Sequence, residues 1–266
     1  MLDSYGRRID YLRISVTDRC NLRCAYCMPS DDVPLTWRRN ILTYEEIAEV
    51  VRVAAGMGVT KIRLTGGEPL VRRNLVHLVA MLAEIEAIRD FAMTTNGILL
   101  ARCARSLAAA GLHRVNVSLD ALEPSRYAAI TRGGDVRHAL AGIDAALESG
   151  LTPVRLNCVV ELDSSEPDAR DVARFAAAAG LEVRFIRRMS LESGIFSVVE
   201  GGAGGDCPRC NRLRLSSDGQ IRPCLFSNAS FSVRKLGAAR ALAMAVGDKP
   251  AAGSACTNLS MHAIGG

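Results

Sequence analysis

Aromatic side chains are scarce in this 266-residue chain: they make up 5% of it, with a single Trp. Small and aliphatic residues must therefore build the core and fill the helices. No apolar run approaches the roughly 18 residues needed to cross a bilayer, which excludes a membrane-spanning helix. The opening stretch MLDSYGRRIDYLR lacks the apolar core of a signal peptide, and the reading is a soluble, cytoplasmic protein. Histidine is rare too, four in all, and none sits beside a nucleophile, so hydrolysis by acid–base chemistry finds little support. There is no long charge run. The net charge of +5 favours anionic partners only weakly, and where the cations sit matters more than their sum. Neither a membrane nor a nucleic acid is expected as a partner. What is present is apolar bulk: 49% of the residues are hydrophobic. That is enough for one large domain, or a domain with a smaller appendage.

Cysteine is abundant, at nine residues. The count is odd, and the chain is too long and helix-rich for a disulfide scaffold, so clustered cysteines point to metal or redox chemistry. In CNLRCAYC, Cys20, Cys24 and Cys27 are spaced CxxxCxxC. Further on, Cys207, Cys210 and Cys224 form CxxCx13C. Each set is one short of the four ligands of a structural zinc site. Three thiolates can hold three corners of a cubane iron–sulfur cluster and leave one iron open to a small molecule. Zinc stays open for the second set, where Cys256 or His262 could supply a fourth ligand. Cys103 and Cys158, on a helix and on an apolar strand face, read as core residues. Cys256 reads as a tail residue without an assigned role.

The first two thirds alternate strand-like and helix-like runs. Strands are expected at Leu12–Thr17, Lys61–Thr65, Phe91–Thr94, Arg114–Leu119, Val154–Val160 and Glu182–Arg188. Helices are expected at Tyr44–Met57, Leu75–Glu86, Leu99–Ala110, Arg137–Ser149 and Asp168–Ala178, several with glycine near the C-cap. This rhythm implies an α/β fold with a parallel sheet of six βα units, fewer than the eight of a full TIM barrel. A Gly-rich stretch follows Met189 and reads as a linker. Beyond it come a β-hairpin turning at Asp218-Gly219 and a helix near Val233–Val246. The expected organisation is a barrel over residues 1–190, a linker over 191–206 and a cysteine-bearing extension over 207–266.

Successive strand side chains face opposite sides of a sheet. Leu12, Ile14 and Val16 oppose Arg13, Ser15 and Thr17, and Ile62 and Leu64 oppose Lys61, Arg63 and Thr65. Val115, Val117 and Leu119 oppose Asn116 and Ser118, while Val154, Leu156 and Cys158 oppose Arg155 and Asn157. With the apolar faces under the helices, Arg13, Lys61, Arg63, Arg155 and Arg184 point at the barrel axis. Buried cations are costly without partners, and a polyanionic ligand would neutralise them.

CxxxCxxC after a first strand, followed by TGGEPL after a second, resembles the radical S-adenosylmethionine (SAM) superfamily. The resemblance implies a [4Fe-4S] cluster on Cys20, Cys24 and Cys27 whose open iron chelates SAM. It implies SAM contacts from Gly67 and the GGEP stretch, with Tyr26, Thr94, Ser118 and Met189 as further candidates. Glu68 is expected to meet the SAM ammonium. LRISVTDRCNLRCAYCMP, KIRLTGGEPL, TTNG, VNVSLD, CNRLRLSSDGQIRPCLF and a terminal IGG together resemble the GTP 3′,8-cyclase family. That family catalyses the first step of molybdenum-cofactor (molybdopterin) biosynthesis. A 5′-deoxyadenosyl radical removes hydrogen from C3′ of GTP, and the ribose radical closes on C8. By this resemblance Cys207, Cys210 and Cys224 hold a second [4Fe-4S] cluster that binds the guanine. Arg13, Lys61, Arg63, Arg155, Arg184, Arg212 and Arg214 hold GTP, and the Gly-Gly tail reaches toward the site. It also implies a one-electron donor such as flavodoxin or ferredoxin, a downstream cyclic pyranopterin monophosphate synthase, and a homodimer. The chain is shorter than is usual there, between Met189 and Cys207, and Arg187 stands where Glu is common. Other readings are a radical SAM enzyme acting on a peptide, or a silent cluster- or zinc-binding relative.

Overall fold

The computed structural model describes residues 1–28, 35–191, 193–194 and 196–256. His262 and Gly265-Gly266 lie outside the described residues. Strands β1 (Tyr11–Ser15), β2 (Lys61–Thr65), β3 (Asp90–Thr95), β4 (Arg114–Ser118), β5 (Arg155–Val160) and β6 (Glu182–Arg187) pair in parallel in chain order. With the helices between them they form a partial TIM-type barrel of six strands; five βα units are complete, and among the described residues no helix follows β6, where a sixth unit was expected. Beside β1 runs β7 (Arg212–Leu215), also parallel, followed by antiparallel β8 (Gln220–Arg222) and β9 (Phe231–Ser232). The C-terminal hairpin therefore extends the barrel sheet from its β1 edge.

The helices are α1 (Tyr44–Gly56), α2 (Leu75–Ala83), α3 (Ala104–Ala109), α4 (Pro124–Thr131), α5 (Val136–Glu148), α6 (Pro167–Ala178), α7 (Val233–Leu236) and α8 (Ala238–Gly247). Thr43 starts α1 with a reciprocal cap: its hydroxyl accepts from the Glu46 amide, and the Glu46 carboxylate accepts from the Thr43 amide. The expected helix over Leu99–Ala110 is divided into a 3-10 turn at Leu100–Arg102 and α3, with a non-helical Cys103 between them. The expected C-terminal helix is interrupted at Gly237, whose φ of +78° separates α7 from α8. Helix α4 was not expected. It is short and only weakly amphipathic, but Glu123 caps it and Pro124 occupies its first turn.

Strand alternation sets the layers. Leu12, Ile14, Ile62, Leu64, Val115, Val117, Leu156 and Cys158 are buried against the helices in one core. Cys103 packs against the same core, as expected. The polar faces turn inward. Helix α5 docks on the turn after β3, where a Cβ on Gly142 would lie 2.3 Å from the Gly97 carbonyl oxygen. Alanine is the better helix former by about 1 kcal/mol, but overpacking against backbone costs about 1–3 kcal/mol. Gly142→Ala is therefore expected to lower stability by roughly 1–2 kcal/mol in denaturant unfolding. A stabilised variant would show that α5 can lift off this turn.

Candidate active site

The strand register aligns cations in rows. Arg13 pairs with Arg63 on one side and Arg214 on the other, and Arg214 pairs in turn with Arg222. Arg63 pairs with Ala92, and Ala92 with Arg114, so the same row continues to β4. A lower row holds Arg212, Tyr11, Lys61 and Asp90. These side chains, except Arg222, line a cavity of ≈ 490 Å³, together with Arg155, Arg184, Arg187, Arg188 and the first cysteine trio. That volume lies in the range of small-molecule sites, about 300–1,000 Å³.

Some of these charges are met within the protein. Arg114 pairs with Asp90 at 2.7 Å, Lys61 with Asp10 at 3.5 Å, and Arg155 with Glu182. The Tyr11 ring lies between Arg63 and Arg212, whose guanidinium carbons stand 5.6 and 5.7 Å from its centroid. Arg212 also donates to the Ala203 carbonyl at 3.0 Å. No carboxylate pairs with Arg63 or Arg184 among the described residues, and a buried Nε of each lacks a hydrogen-bond partner. Burial, then the neighbouring cations Arg155, Arg63 and Arg114, pull Arg184 down to about 10. Burial likewise pulls Arg214 down to about 10, with the Cys224 thiol opposing it. The Thr94 hydroxyl and the Tyr11 hydroxyl are also buried and unpartnered. Orphaned polar groups cost about 1–3 kcal/mol each, so this chamber fits a polar anion better than it fits emptiness.

The first cysteine trio sits at the other end of β1, on the loop that follows it. Cys20, Cys24 and Cys27 are free thiols facing the same cavity. Burial, then neighbouring Asp120 and the other thiols, push Cys24 up to about 12; burial and Cys20 do the same for Cys27. Three thiolates so crowded need cationic metal to neutralise them, which fits a cluster. Among the described residues no group of His, Cys, Asp and Glu is arranged to hold a single metal ion; in a cubane each thiolate takes a different iron. Gly67 runs against this loop, where a Cβ would stand 2.4 Å from the Arg19 carbonyl oxygen.

All five expected SAM contacts, Tyr26, Gly67, Thr94, Ser118 and Met189, line the cavity. The Tyr26 hydroxyl is already used, donating to Asp120 at 2.7 Å. Glu68 does not have the role expected of it. Its carboxylate turns away from the cavity and accepts from the Leu70 and Asn96 amides and the Thr95 hydroxyl, at 3.0, 2.7 and 2.8 Å. It ties the loop after β2 to the loop after β3. Arg114 was missed, although it shares strand parity with Asn116 and Ser118.

Of the second trio, Cys224 and Cys210 act on Arg214, which lines the cavity, whereas none of the three cysteines lines it. Cys224 packs against an apolar cluster of Leu225, Phe226, Met189, Leu191 and Phe196. Cys256 is buried, and its amide donates to the Leu191 carbonyl at 2.7 Å.

A family model described as the radical SAM superfamily matches residues 14–176, the class that this partial barrel and its first trio define. Among solved structures, Streptococcus suis SuiB bound to S-adenosylmethionine has a TM-score of 0.66 at 14% identity, covering 86% of this chain and 64% of that one. Native anSMEcpe with bound AdoMet has a TM-score of 0.60 at 13% identity, covering 84% and 77%. These two likenesses bear on the fold. The GTP 3′,8-cyclases of Moorella thermoacetica and Petrotoga mobilis are 42% and 41% identical, each covering 88% of this chain and 86% of the relative. The chain belongs to the GTP 3′,8-cyclase family of the radical SAM superfamily, which uses SAM and a [4Fe-4S] cluster.

Burial pushes Glu68 up to about 7 against hydrogen bonds that hold it down. The unfolded chain ionises Glu68 near its ordinary 4.5. Between those values the folded state keeps a proton that the unfolded state has lost, so stability falls as pH rises through the window. Urea unfolding of the metal-free chain is expected to show a loss through this group of up to about 3 kcal/mol between pH 4.5 and 7. Glu68→Gln should remove that slope. An unchanged slope would clear Glu68 as its cause.

Proposed function

We propose that this chain is a GTP 3′,8-cyclase that holds GTP in the arginine-lined chamber between two cysteine trios. The observation that carries this reading is the row of Arg214, Arg13, Arg63 and Arg114 across four strands, facing the same cavity as Cys20, Cys24 and Cys27. A triphosphate is the polyanion such a row would bind; Arg and Lys clamp phosphate oxygens by charge-assisted hydrogen bonds. A cluster held by Cys20, Cys24 and Cys27 would, with SAM bound and one electron supplied, split SAM into methionine and a 5′-deoxyadenosyl radical able to take hydrogen from C3′ of GTP; closure of C3′ on C8 would then need one further electron and a proton.

The chain's own residues do the positioning. Gly67, Thr94, Ser118, Met189 and the Tyr26 segment hold SAM. Arg13, Lys61, Arg63, Arg155, Arg184, Arg212 and Arg214 hold GTP, with Arg114 beside them. Cys207, Cys210 and Cys224 hold a second [4Fe-4S] cluster at the guanine end, and Arg214 lies between it and the chamber. A carbon radical attacks nearly any C–H within reach, so fixing the ribose is what gives specificity. The working division is a barrel over residues 1–190, a bridge over 191–206 and a cluster segment over 207–266. A flavodoxin or ferredoxin would supply the electron in a reducing cytoplasm, and cyclic pyranopterin monophosphate synthase would take the product. A homodimer completes the proposal. No helix among the described residues is long and apolar enough to cross a membrane. A peptide substrate is less well supported, because a peptide lacks the clustered negative charge that a row of arginines favours.

The test is anaerobic reconstitution with SAM, reductant and either GTP or peptide. Formation of 5′-deoxyadenosine that depends on GTP supports the reading, and dependence on peptide overturns it. Cys24→Ala is expected to abolish SAM cleavage and to halve the iron from about eight to about four per chain. Arg214→Ala should weaken GTP use by roughly 10- to 100-fold, the worth of a lost hydrogen bond to a charged group, while slow uncoupled cleavage persists. Normal turnover by either variant would refute its role.

A further inference from the structure

One buried cation has no part in the mechanism above. Lys249 follows α8 and is 3% exposed. Its Nζ donates to the Arg212 carbonyl at 2.7 Å and to the Pro223 carbonyl at 2.8 Å. Those carbonyls are close to the second trio in sequence: Arg212 lies two residues after Cys210, and Pro223 immediately precedes Cys224. One side chain therefore ties together the two limbs that carry these cysteines. An ammonium has three donors. Cys210 and Cys224 are both close enough to act on its charge.

Arg7 supplies the contrast. It clamps the same region, donating to the carbonyls of Cys207, Pro250 and Ala251 at 2.8, 2.6 and 3.0 Å. Its charge is met by Asp3 at 2.5 Å. Lys249 has no carboxylate partner among the described residues; burial pulls its pKa down, and Cys210 and Cys224 oppose that shift. A buried ammonium is costly unless an opposite charge meets it.

We propose that Lys249 is a positioning residue for the second cluster, spacing the Cys210 and Cys224 limbs through their carbonyls and setting its charge against the cluster's own. This rests on the reading that Cys207, Cys210 and Cys224 hold a [4Fe-4S] cluster. A cubane on three thiolates is negative overall and becomes more so on reduction. A fixed cation at its sulfur favours the reduced form and raises its potential.

The experiment uses the full chain, reconstituted anaerobically with iron and sulfide. Iron is counted, and each cluster is titrated by potentiometry followed by electron paramagnetic resonance. The titration is repeated in a Cys24→Ala background, which isolates the second cluster. In Lys249→Met and Lys249→Gln the midpoint of the second cluster is expected to move down, with the first unmoved. Lys249→Arg should restore most of the shift. Cluster loss in both neutral variants but not in Lys249→Arg would support the same role by a stronger route. A midpoint unmoved in Lys249→Gln overturns the assignment and leaves a hydrogen-bonding strut. So does an equal shift in Arg7→Met, which loosens the clamp without touching the Lys249 charge. A wild-type chain with about four irons instead of about eight removes the second cluster itself, and the proposal with it.

Discussion

Like charges aligned across neighbouring strands are the constraint on which this structure turns. Strands in a sheet lie about 4.8 Å apart, so Arg214, Arg13 and Arg63 in one register row repel one another at close range. Desolvation adds to this, and burial pulls Arg13, Arg63 and Arg214 all downward. No folded protein gains stability from such a row by itself. What makes it tolerable lies around it: Asp10, Asp90 and Glu182 meet three outer cations, and the Tyr11 ring takes two guanidinium faces. The inner row faces the cavity. Stability is given up where binding is wanted, and the apolar face of the same strands, packed under the helices, offsets the loss.

The same strands also separate two chemistries. On β1, Arg13 faces the cation row, and the chain leaves the strand directly into the Cys20 loop. The loop is held from beneath by backbone. The Gly67 and Glu68 amides donate to the Thr17 and Arg19 carbonyls at 2.8 Å each, and the Glu68 carboxylate locks that segment to Asn96. The Asn96 side-chain amide in turn donates to the Asn21 side-chain oxygen at 2.8 Å. A loop built this way is fixed by hydrogen bonds from two strand ends, so Cys20, Cys24 and Cys27 would be held in place for a cluster before it assembles. Preorganisation of this kind is what radical chemistry needs, because misplaced reactivity attacks the protein itself.

Much of this was legible in the sequence. Strand positions and inward-facing cations follow from a period of two, a short-range property, and the structure returns β2 with the expected bounds. The first trio was legible because its ligands are close together in the chain. The rest depends on long-range pairing. That β7 would lie parallel to β1, placing Arg214 beside Arg13, cannot be read from either segment alone. Lys249 shows no motif, since its significance comes from two carbonyls that the fold brings to it. The role expected for Glu68 was misjudged for a similar reason. Charge chemistry suggested an ammonium partner, whereas the carboxylate is occupied by amides from a neighbouring loop.

The Gly-rich bridge after β6 shows how a short connection can still serve the site. An open barrel leaves the β6 edge unpaired, and unpaired edges are a liability. Here Phe185 and Glu200 exchange both backbone hydrogen bonds, at 3.1 Å each, so the bridge turns back and covers that edge. Val199 then bonds Gly204, and the Ala203 carbonyl accepts from Arg212 on β7, the strand beyond β1. Phe196 packs against Phe226 with ring centroids 5.8 Å apart, which joins the bridge to the cluster segment. The glycines are a packing requirement: a Cβ on Gly205 would stand 2.2 Å from the Ser197 carbonyl oxygen. Few residues suffice because the bridge need only reach from the β6 edge to Arg212 on β7. Phe196, Val199, Gly202, Ala203 and Gly204 of the bridge thereby line the chamber on the side where the barrel lacks strands.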